Sequence, residues 1–487
     1  MPEPLVVGDV FRQAARAVPH RTAAVLGERS LTFSELDASA NRTARALLAH
    51  GARAGDRVAV WAATTLASVP VFAALAKLGA VFAPLNGSWG PDEVARVLDR
   101  FGAALLIADA EREGPAAALA GSLRTQAVSL DALSAEASAF PDDDPLTLVA
   151  EADPHVVFFT SGSSGEPKGA VLSHRTNMLR SLPGALLEPR GAMVCPYPLF
   201  HMGAWTIALQ QWQARDAVVF VSRASSEEIG AAVMRHRATR LNAIPAVWRR
   251  LLEAPTRAMA PDLSSIRFAD TGTSTTPPEL LRALAKAMPA AQVRVFYGST
   301  EAGSVTVLEH ADVERKPGSC GVPGPLVTLR TDAAGQLFVR GPLLFDGYLE
   351  DPEATNAALV DGWYATGDLA TVDDDGFVTI VGRVGEVIRT GGETVAPAEV
   401  ESVLATHSAV ADVAVLGLPD DQWGEVVCAV VVPQPGGAPP QLDELRAHCA
   451  GALATYKHPR QLVLVAEIPR TAATGQIKRR LLLDRVR

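Results

Sequence analysis

Short runs rich in valine, isoleucine and phenylalanine alternate along this chain with longer alanine-, leucine- and arginine-rich stretches of helical period. The first kind includes Val58–Trp61, Leu105–Ala108, Val156–Thr160, Val218–Val221 and Val293–Tyr297. The second includes Ser34–His50, Glu93–Phe101, Ser226–Arg237 and Pro278–Met288. A short apolar run with branched side chains has no polar face to offer water, so it belongs inside a sheet covered by helices on both sides. The alternation therefore predicts layered α/β architecture. No fixed internal period marks a solenoid. With 487 residues, 48% of them apolar and 20% charged, the chain can bury several cores and is no disordered or fibrous polymer.

Val58 to Ala76 carries no charge, about the length of a membrane span. Thr64, Thr65, Ser68 and Pro70 interrupt it and alanine dominates the rest, so it reads as a buried strand, a turn and a buried helix running to Leu78. No transmembrane span is expected. Four cysteines, Cys195, Cys320, Cys428 and Cys449, are far apart and suggest neither a zinc site nor a disulfide framework. Met1 to Phe11 does not read as a secretory signal, and a reducing cytoplasm is the expected location. The net charge of −10 gives no general attraction to nucleic acid, and none is expected as a partner. A monomer or homodimer is expected.

Texture changes after about residue 330. Leu337–Arg340 and Phe377–Val381 read as strands joined by Gly- and Asp-rich turns. Beyond Gly382-Arg383 a compact pattern follows: a helix at Pro397–Thr406, strands at Val410–Leu418 and Glu425–Val432, a helix at Leu442–Leu453, a strand at Gln461–Val465 and a basic tail. That is a small α+β domain, long enough to fold by itself. The expected division is a large N-terminal body of layered α/β subdomains over residues 1–382, a hinge at 383–385, and a small mobile lid over 386–487.

Three motifs carry chemistry. Thr160-Ser161-Gly162-Ser163-Ser164-Gly165-Glu166-Pro167-Lys168-Gly169 follows the strand Val156–Phe159 directly. Its glycines let successive amides turn inward as an anion-binding nest, Thr160, Ser161, Ser163 and Ser164 add hydroxyls, and Lys168 adds a point charge. The pattern is not a Walker A loop. Read alone, a Gly/Ser-rich stretch is also compatible with a plain linker. Tyr297-Gly298-Ser299-Thr300-Glu301 ends another apolar strand and offers a ring for a nucleobase, hydroxyls for phosphate and a carboxylate for Mg²⁺. Thr366-Gly367-Asp368, followed by Gly382-Arg383, places a carboxylate where ribose hydroxyls are often held. Each of the last two, taken alone, is also compatible with a turn.

In this order, together with Pro198-Leu199-Phe200-His201, Gly362–Leu369, Gly382–Glu401, Leu453–Pro459 and Ile468-Pro469-Arg470-Thr471, these segments resemble the acyl- and aryl-CoA synthetase branch of the adenylate-forming superfamily over nearly the whole chain. The resemblance implies that a carboxylic acid is converted with ATP and Mg²⁺ to an acyl-AMP, and then with coenzyme A to a thioester. It also implies roles. Thr160, Ser161, Gly162, Ser163, Ser164, Gly165 and Lys168 would embrace phosphates. Tyr297, Gly298, Ser299 and Thr300 would face the nucleotide, and Glu301 would bind the metal. Asp368 and Arg383 would hold the ribose, His201 would sit near the reacting carboxylate, and Gly391 and Gly392 would admit pantetheine. The acyl wall would run from Ala269 through Thr276, including Thr271, Gly272 and Thr273, together with Gly298 and Trp205.

Two departures stand out. Gln476 occupies the position of the family's C-terminal lysine, with one extra residue before Gly475, which casts adenylation as the weakened half-reaction; Lys478 or Lys457 could substitute. Gly385 replaces the usual Asp or Lys at the hinge. Phe200-His201 lacks the aspartate of amino-acid-activating relatives and Phe296 supplies no cation for a malonate-type acid, so an apolar fatty or aromatic acid is expected. Arg235, Arg237, Arg240, Arg249 and Arg250 could contact coenzyme A phosphates, or form a solvated helix face. Two alternatives stay open: a nucleotide- or acyl-AMP-binding homologue with little activity, and an amidase-like hydrolase using Ser163, Ser164 and Lys168.

Overall fold

The computed structural model describes residues 5–161, 167–253, 260–471 and 475–486. Among these residues the strands form four sheets. The largest has a parallel centre made of Gln292–Ser299, Phe268–Gly272, Arg240–Asn242, Met193–Cys195, Val218–Phe220 and Thr22–Leu26, with antiparallel strands at both edges. A second sheet sets Gln126–Ser129, Leu105–Ala108, Arg57–Trp61, Val81–Leu85 and Pro154–Ser161 in parallel, and the antiparallel Pro167–Ser173 and Gly347–Tyr348 extend it. Helices bury both sheets, as the alternating runs predict.

The charge-free stretch is the strand Arg57–Trp61 followed by the helix Ser68–Leu78, which is buried along its length. Among the described residues no helix is long and apolar enough to cross a membrane. Its last turn carries a surprise. Lys77 is fully enclosed, and its ammonium donates to Asp37 Oδ1 at 2.5 Å and Asn41 Oδ1 at 2.6 Å. The buried charge is tolerable because it is paired and hydrogen-bonded. All four cysteines are free and buried.

An antiparallel sheet of Thr328–Thr331, Gln336–Arg340, Trp363–Val372, Leu359–Val360 and Val378–Arg383 comes next. The fourth sheet begins at Ile388 and holds Ile388–Thr390, Glu393–Val395, Val410–Asp420, Gly424–Pro433 and Gln461–Leu464, with an apolar core on each face. The break between these two sheets falls at 384–387.

Two expectations for this region are corrected. The helix starting at Leu442 stops at Cys449 rather than Leu453, because Gly451 takes a left-handed φ of +89°. The basic tail is not a tail but the helix Arg479–Val486, which buries Leu482. Its basic residues are anchors: Arg479 donates to Glu401 Oε1 at 2.6 Å, Glu386 Oε2 at 2.7 Å and the Val415 carbonyl at 3.1 Å.

Candidate active site

Pro154–Ser161 and Pro167–Ser173 form an antiparallel hairpin in which Thr160 faces Lys168 and Ser161 faces Pro167. Gly162, Ser163, Ser164 and Gly165 lie outside the described residues. A Cβ on Gly169 would come within 2.8 Å of Val157, so only glycine lets this strand lie flat on its partner. Thr160 Oγ1 donates to Glu301 Oε1 at 3.4 Å, and the Tyr348 hydroxyl donates to the same oxygen at 3.1 Å. The Lys168 ammonium stands 5.2 Å from the Tyr348 ring centre. Burial and the adjacent Glu301 push the Tyr348 phenol up, so it remains a donor at neutral pH.

Glu301 lies in the turn between Gln292–Ser299 and Gly303–Leu308. This turn is tight enough to dictate its glycines. A Cβ on Gly298 would overlap the Gly303 carbonyl oxygen, and Gly303 itself has φ +71°. The Ser299 hydroxyl accepts from the Ala302 amide at 3.1 Å. The carbonyls of Thr300 and Glu301 accept from the buried Arg180 guanidinium at 2.8 and 2.9 Å.

Tyr297 reaches the third sheet. Its hydroxyl donates to Asp368 Oδ2 at 2.6 Å, while Arg383 Nε donates to Oδ1 at 2.9 Å. Asp368 and Arg383 are directly paired across neighbouring strands, and Gly367 at φ +73° turns the chain just before the carboxylate. Burial, reinforced by Asp368, drives the Tyr297 phenol well above its usual range. The two carboxylates thus stand at opposite ends of the Tyr297–Glu301 segment.

His201 caps the helix Met202–Gln213, its Nδ1 accepting from the Gly203 amide at 3.0 Å. That bond assigns the remaining proton to Nε2. Burial pushes the imidazole down to about 4, so it is a neutral N–H donor at pH 7. Its ring stacks on Tyr197 with centroids 5.4 Å apart, and Tyr197 donates to Asn242 Oδ1 at 2.8 Å.

The expected acyl wall divides. Trp205 belongs to the core: it is 2% exposed, stacks on Phe72 at 4.2 Å and donates to the Leu199 carbonyl at 2.6 Å. Its indole is spent on packing, apart from a place beside a small cavity next to Phe200. Thr271 is fully buried and, by strand alternation, faces away from Asp270, whose carboxylate pairs with Arg294 on the side of Asn242. Gly272 permits a close approach, since a Cβ there would overlap the Phe296 carbonyl oxygen. Thr273 is exposed, with a strained φ of +66° for a β-branched residue.

A cleft of about 200 Å³ opens at the ends of the parallel strands Met193–Cys195, Val218–Phe220 and Arg240–Asn242. Thr64, Tyr197, Ser222, Ile244, Val247 and Arg250 line it. Such carboxyl ends of parallel strands are where open α/β sheets bind ligands. Of the five arginines considered for coenzyme A, Arg250 lines the cleft. Arg240 is buried and donates to the Gly184 carbonyl at 2.7 Å, while Arg235 pairs with Glu28. Arg237 forms the left-handed cap of its helix, and Arg249 is exposed.

From the small domain, Gln476 Nε2 donates to the Thr273 carbonyl at 3.4 Å. Lys478 is exposed, and Lys457 is tied to both oxygens of Glu399 at 2.6 and 2.7 Å. Gly391 and Gly392 occupy a hairpin turn at φ +60° and +87°, and a Cβ on Gly391 would strike the Trp423 ring at 2.6 Å. Gly385 stands in open space.

Arg180, Tyr197, Asn242 and Tyr348 escaped sequence reasoning. Tyr197 lay next to the quoted Pro198–His201 motif and could have been found there. The others had no local signal, because tertiary contacts alone bring them to the site.

The profile of the AMP-binding enzyme family matches residues 11–349, and that of the AMP-binding enzyme C-terminal domain matches 399–474. The chain belongs to the AMP-binding enzyme family. Within it, the chain falls among the acyl- and aryl-CoA ligases. It is 36% identical over 488 residues to feruloyl-CoA synthase of an Amycolatopsis species, covering 96% of this chain and 97% of the relative. It is 30% identical over 504 residues to the long-chain-fatty-acid–CoA ligase FadD13 of Mycobacterium tuberculosis, covering 98% of each. The anthranilate CoA ligase AuaEII, solved with anthranoyl-AMP, superposes with a TM-score of 0.90 at 25% identity, over 100% of this chain and 98% of that one. O-succinylbenzoate coenzyme A synthetase of Bacillus subtilis, solved with ATP and magnesium ion, superposes at 0.88 with 27% identity, over 99% of each. Membership of the AMP-binding enzyme family leaves the hydrolase alternative without support.

Proposed function

We propose that the chain activates an apolar carboxylic acid, fatty or aromatic, with ATP and Mg²⁺ and transfers the acyl group to coenzyme A. The observation that carries this reading is the pair of buried carboxylates at the two ends of one strand-turn. Glu301 stands beside the phosphate hairpin, and Asp368 lies under the Tyr297 hydroxyl.

The residues present suit Mg²⁺. Among the described residues no group of three or more His, Cys, Asp or Glu could hold a metal alone, and a single carboxylate next to phosphate oxygens is how Mg²⁺ commonly binds nucleotides. When bound, the ion would neutralise phosphate charge. Glu301 would hold it. Thr160, Ser161, Gly162, Ser163, Ser164, Gly165 and Lys168 would grip the β- and γ-phosphates, with Ser299 and Thr300 close to the α-phosphate. Tyr297 and Gly298 would form the adenine wall, and Asp368 with Arg383 would take the ribose.

In the first step a carboxylate oxygen of the acid attacks the α-phosphorus, the bond to the β-phosphate oxygen breaks, and pyrophosphate leaves. Positioning and charge neutralisation supply most of such a barrier reduction. His201 would donate its Nε2 proton as a hydrogen bond to the acid, with Gly272, Thr273 and Phe296 beside the acyl group. In the second step the thiol of coenzyme A attacks the acyl carbon and AMP leaves. The cleft beside Tyr197 and Arg250 is where pantetheine would enter, with Gly391 and Gly392 brought over it. Residues 1–382 would form the body, 383–385 the pivot with Gly385 as hinge, and 386–487 the moving lid.

The deciding experiment is carboxylate-dependent exchange of labelled pyrophosphate into ATP across aliphatic and aromatic acids. Exchange with at least one apolar acid is expected. No exchange with any acid, Mg²⁺ present, would overturn the ligase reading.

One observation favours a qualification. Gln476 brings an amide, not an ammonium, to the Thr273 carbonyl. Loss of one preorganised donor can cost about 10²–10³ in rate, so adenylation is the half-reaction that this substitution would weaken.

A further inference from the structure

Arg180 sits on the helix His174–Ala185, which leaves the phosphate hairpin directly. Its guanidinium donates from Nε to the Leu343 carbonyl at 2.7 Å, from Nη1 to the Thr300 carbonyl at 2.8 Å, and from Nη2 to the Glu301 carbonyl at 2.9 Å. Nη1 also lies 3.3 Å from Met202 Sδ, one residue after His201. Among the described residues no carboxylate pairs with it within 4.0 Å, although Glu301 and Asp346 are near enough for their charge to favour its protonation. Burial pushes the group down to about 10, so it remains a cation at neutral pH.

A buried guanidinium without a carboxylate partner is costly, and an apolar side chain of similar length would fill the space more cheaply. What the charge achieves here is geometric. Two consecutive carbonyls, those of Thr300 and Glu301, are pinned by the two arms of one planar fork, and Leu343 is pinned by its base. Glycine at 303 is what makes room: a Cβ there would approach Arg180 Nε to 2.9 Å. The fork therefore holds the backbone from which the Glu301 carboxylate projects toward Thr160 and Tyr348.

We propose that Arg180 is a positioning residue, which fixes the Thr300–Glu301 turn so that Glu301 meets the metal on the nucleotide phosphates. This rests on the reading of Glu301 as the metal-holding carboxylate. Supporting groups of this kind typically alter metal affinity by about 10–100-fold. Lysine cannot reproduce the fork, because it offers a point charge rather than a planar set of donors.

The test uses the full chain with ATP, no acid and no coenzyme A, so nothing turns over. Mn²⁺ binding to the ATP complex is followed by electron paramagnetic resonance, and AMP affinity by calorimetry without metal. Arg180→Met is expected to weaken Mn²⁺ binding about 10-fold or more while AMP affinity changes less than about 2-fold. Methylguanidinium added to Arg180→Ala is expected to restore part of the metal affinity. Should Arg180→Met not fold, Arg180→Lys carries the same comparison and is expected to lose metal affinity despite keeping the charge. Mn²⁺ affinity within about 2-fold of the unsubstituted chain, or AMP affinity falling in parallel, would overturn the positioning role. Failure of the unsubstituted chain to bind Mn²⁺ with ATP would instead bring down the functional reading, and this proposal with it.

Discussion

The Tyr297 hydroxyl donates to Asp368 Oδ2 over 2.6 Å, and Arg383 Nε occupies the other carboxylate oxygen at 2.9 Å. Each oxygen keeps a further lone pair, so Asp368 can accept ribose hydroxyls without losing either partner. Its two protein donors set its orientation before a nucleotide arrives. Asp368→Ala should therefore cost AMP binding about 10-fold or more, from loss of charge-assisted hydrogen bonds of roughly 1.5–3 kcal/mol, as calorimetry would read. Tyr297→Phe should weaken AMP binding less, since it loosens the carboxylate without removing it. Equal affinity in Asp368→Ala and the unsubstituted chain would contradict the ribose assignment.

Replacing Gln476 by lysine restores a cation at the contact with Thr273. Pyrophosphate exchange should rise by about 10-fold or more, within the range attributed to one preorganised charged donor. Thioester formation from preformed acyl-AMP should hardly change. An unaltered exchange rate would mean that Gln476 does not limit adenylation.

His155 and His174 lie against each other in the core with ring centroids 4.6 Å apart, and neither Nε2 has a hydrogen-bond partner among the described residues. Burial pushes His174 down to about 4 and, with help from His174, drives His155 well below 6.5. Both are neutral when folded and take up protons more readily when unfolded. Their contribution is thus fully present above about pH 6.5, is lost as pH falls below that, and for His174 levels off near 4. The His174 share is about 3 kcal/mol by linkage. Urea unfolding at pH 7 and pH 5 should show a clear drop in stability. His174→Asn, which keeps an acceptor for the Val7 amide that Nδ1 now receives at 3.3 Å, should flatten the pH slope.

Gly298→Ala would force a methyl group into the Gly303 carbonyl and spread the turn that carries Glu301. Overpacking of this kind costs about 1–3 kcal/mol. Thermal unfolding should shift down, and Mg²⁺-dependent nucleotide binding should weaken with it. Alanine at the exposed Gly392, where no atom lies within 4 Å, should affect thioester formation while leaving nucleotide binding intact.

The alternation of apolar runs and helical stretches was enough to place Val156–Thr160 and Val293–Tyr297 in covered sheets, because burial of both faces leaves its mark in consecutive residues. The candidate site motifs were legible for a related reason: a strand end, a glycine turn and a polar side chain must follow one another in the chain. Trp205 was ambiguous in the sequence, because an aromatic residue after a motif looks the same whether it faces a ligand or stacks on Phe72, as it does here. The C-terminal helix was hidden by Lys478, Arg479 and Arg480, whose charges masked Leu481–Leu483 until Arg479 was seen bound to Glu401 and Glu386.

By itself the sequence determined the layered α/β class, the order of the motifs, the Gln476 departure and the family resemblance, all properties of neighbours along the chain. Only the tertiary structure decided which groups share a carboxylate. Thr160 and Tyr348 meet at Glu301, and Tyr297 and Arg383 meet at Asp368, across separations of 47 residues and more for three of these four contacts. It also decided that Arg180 stands beneath Thr300 and Glu301, 120 and 121 residues away. Such contacts arise from closing sheets and packing helices around a common core, and no local periodicity encodes them.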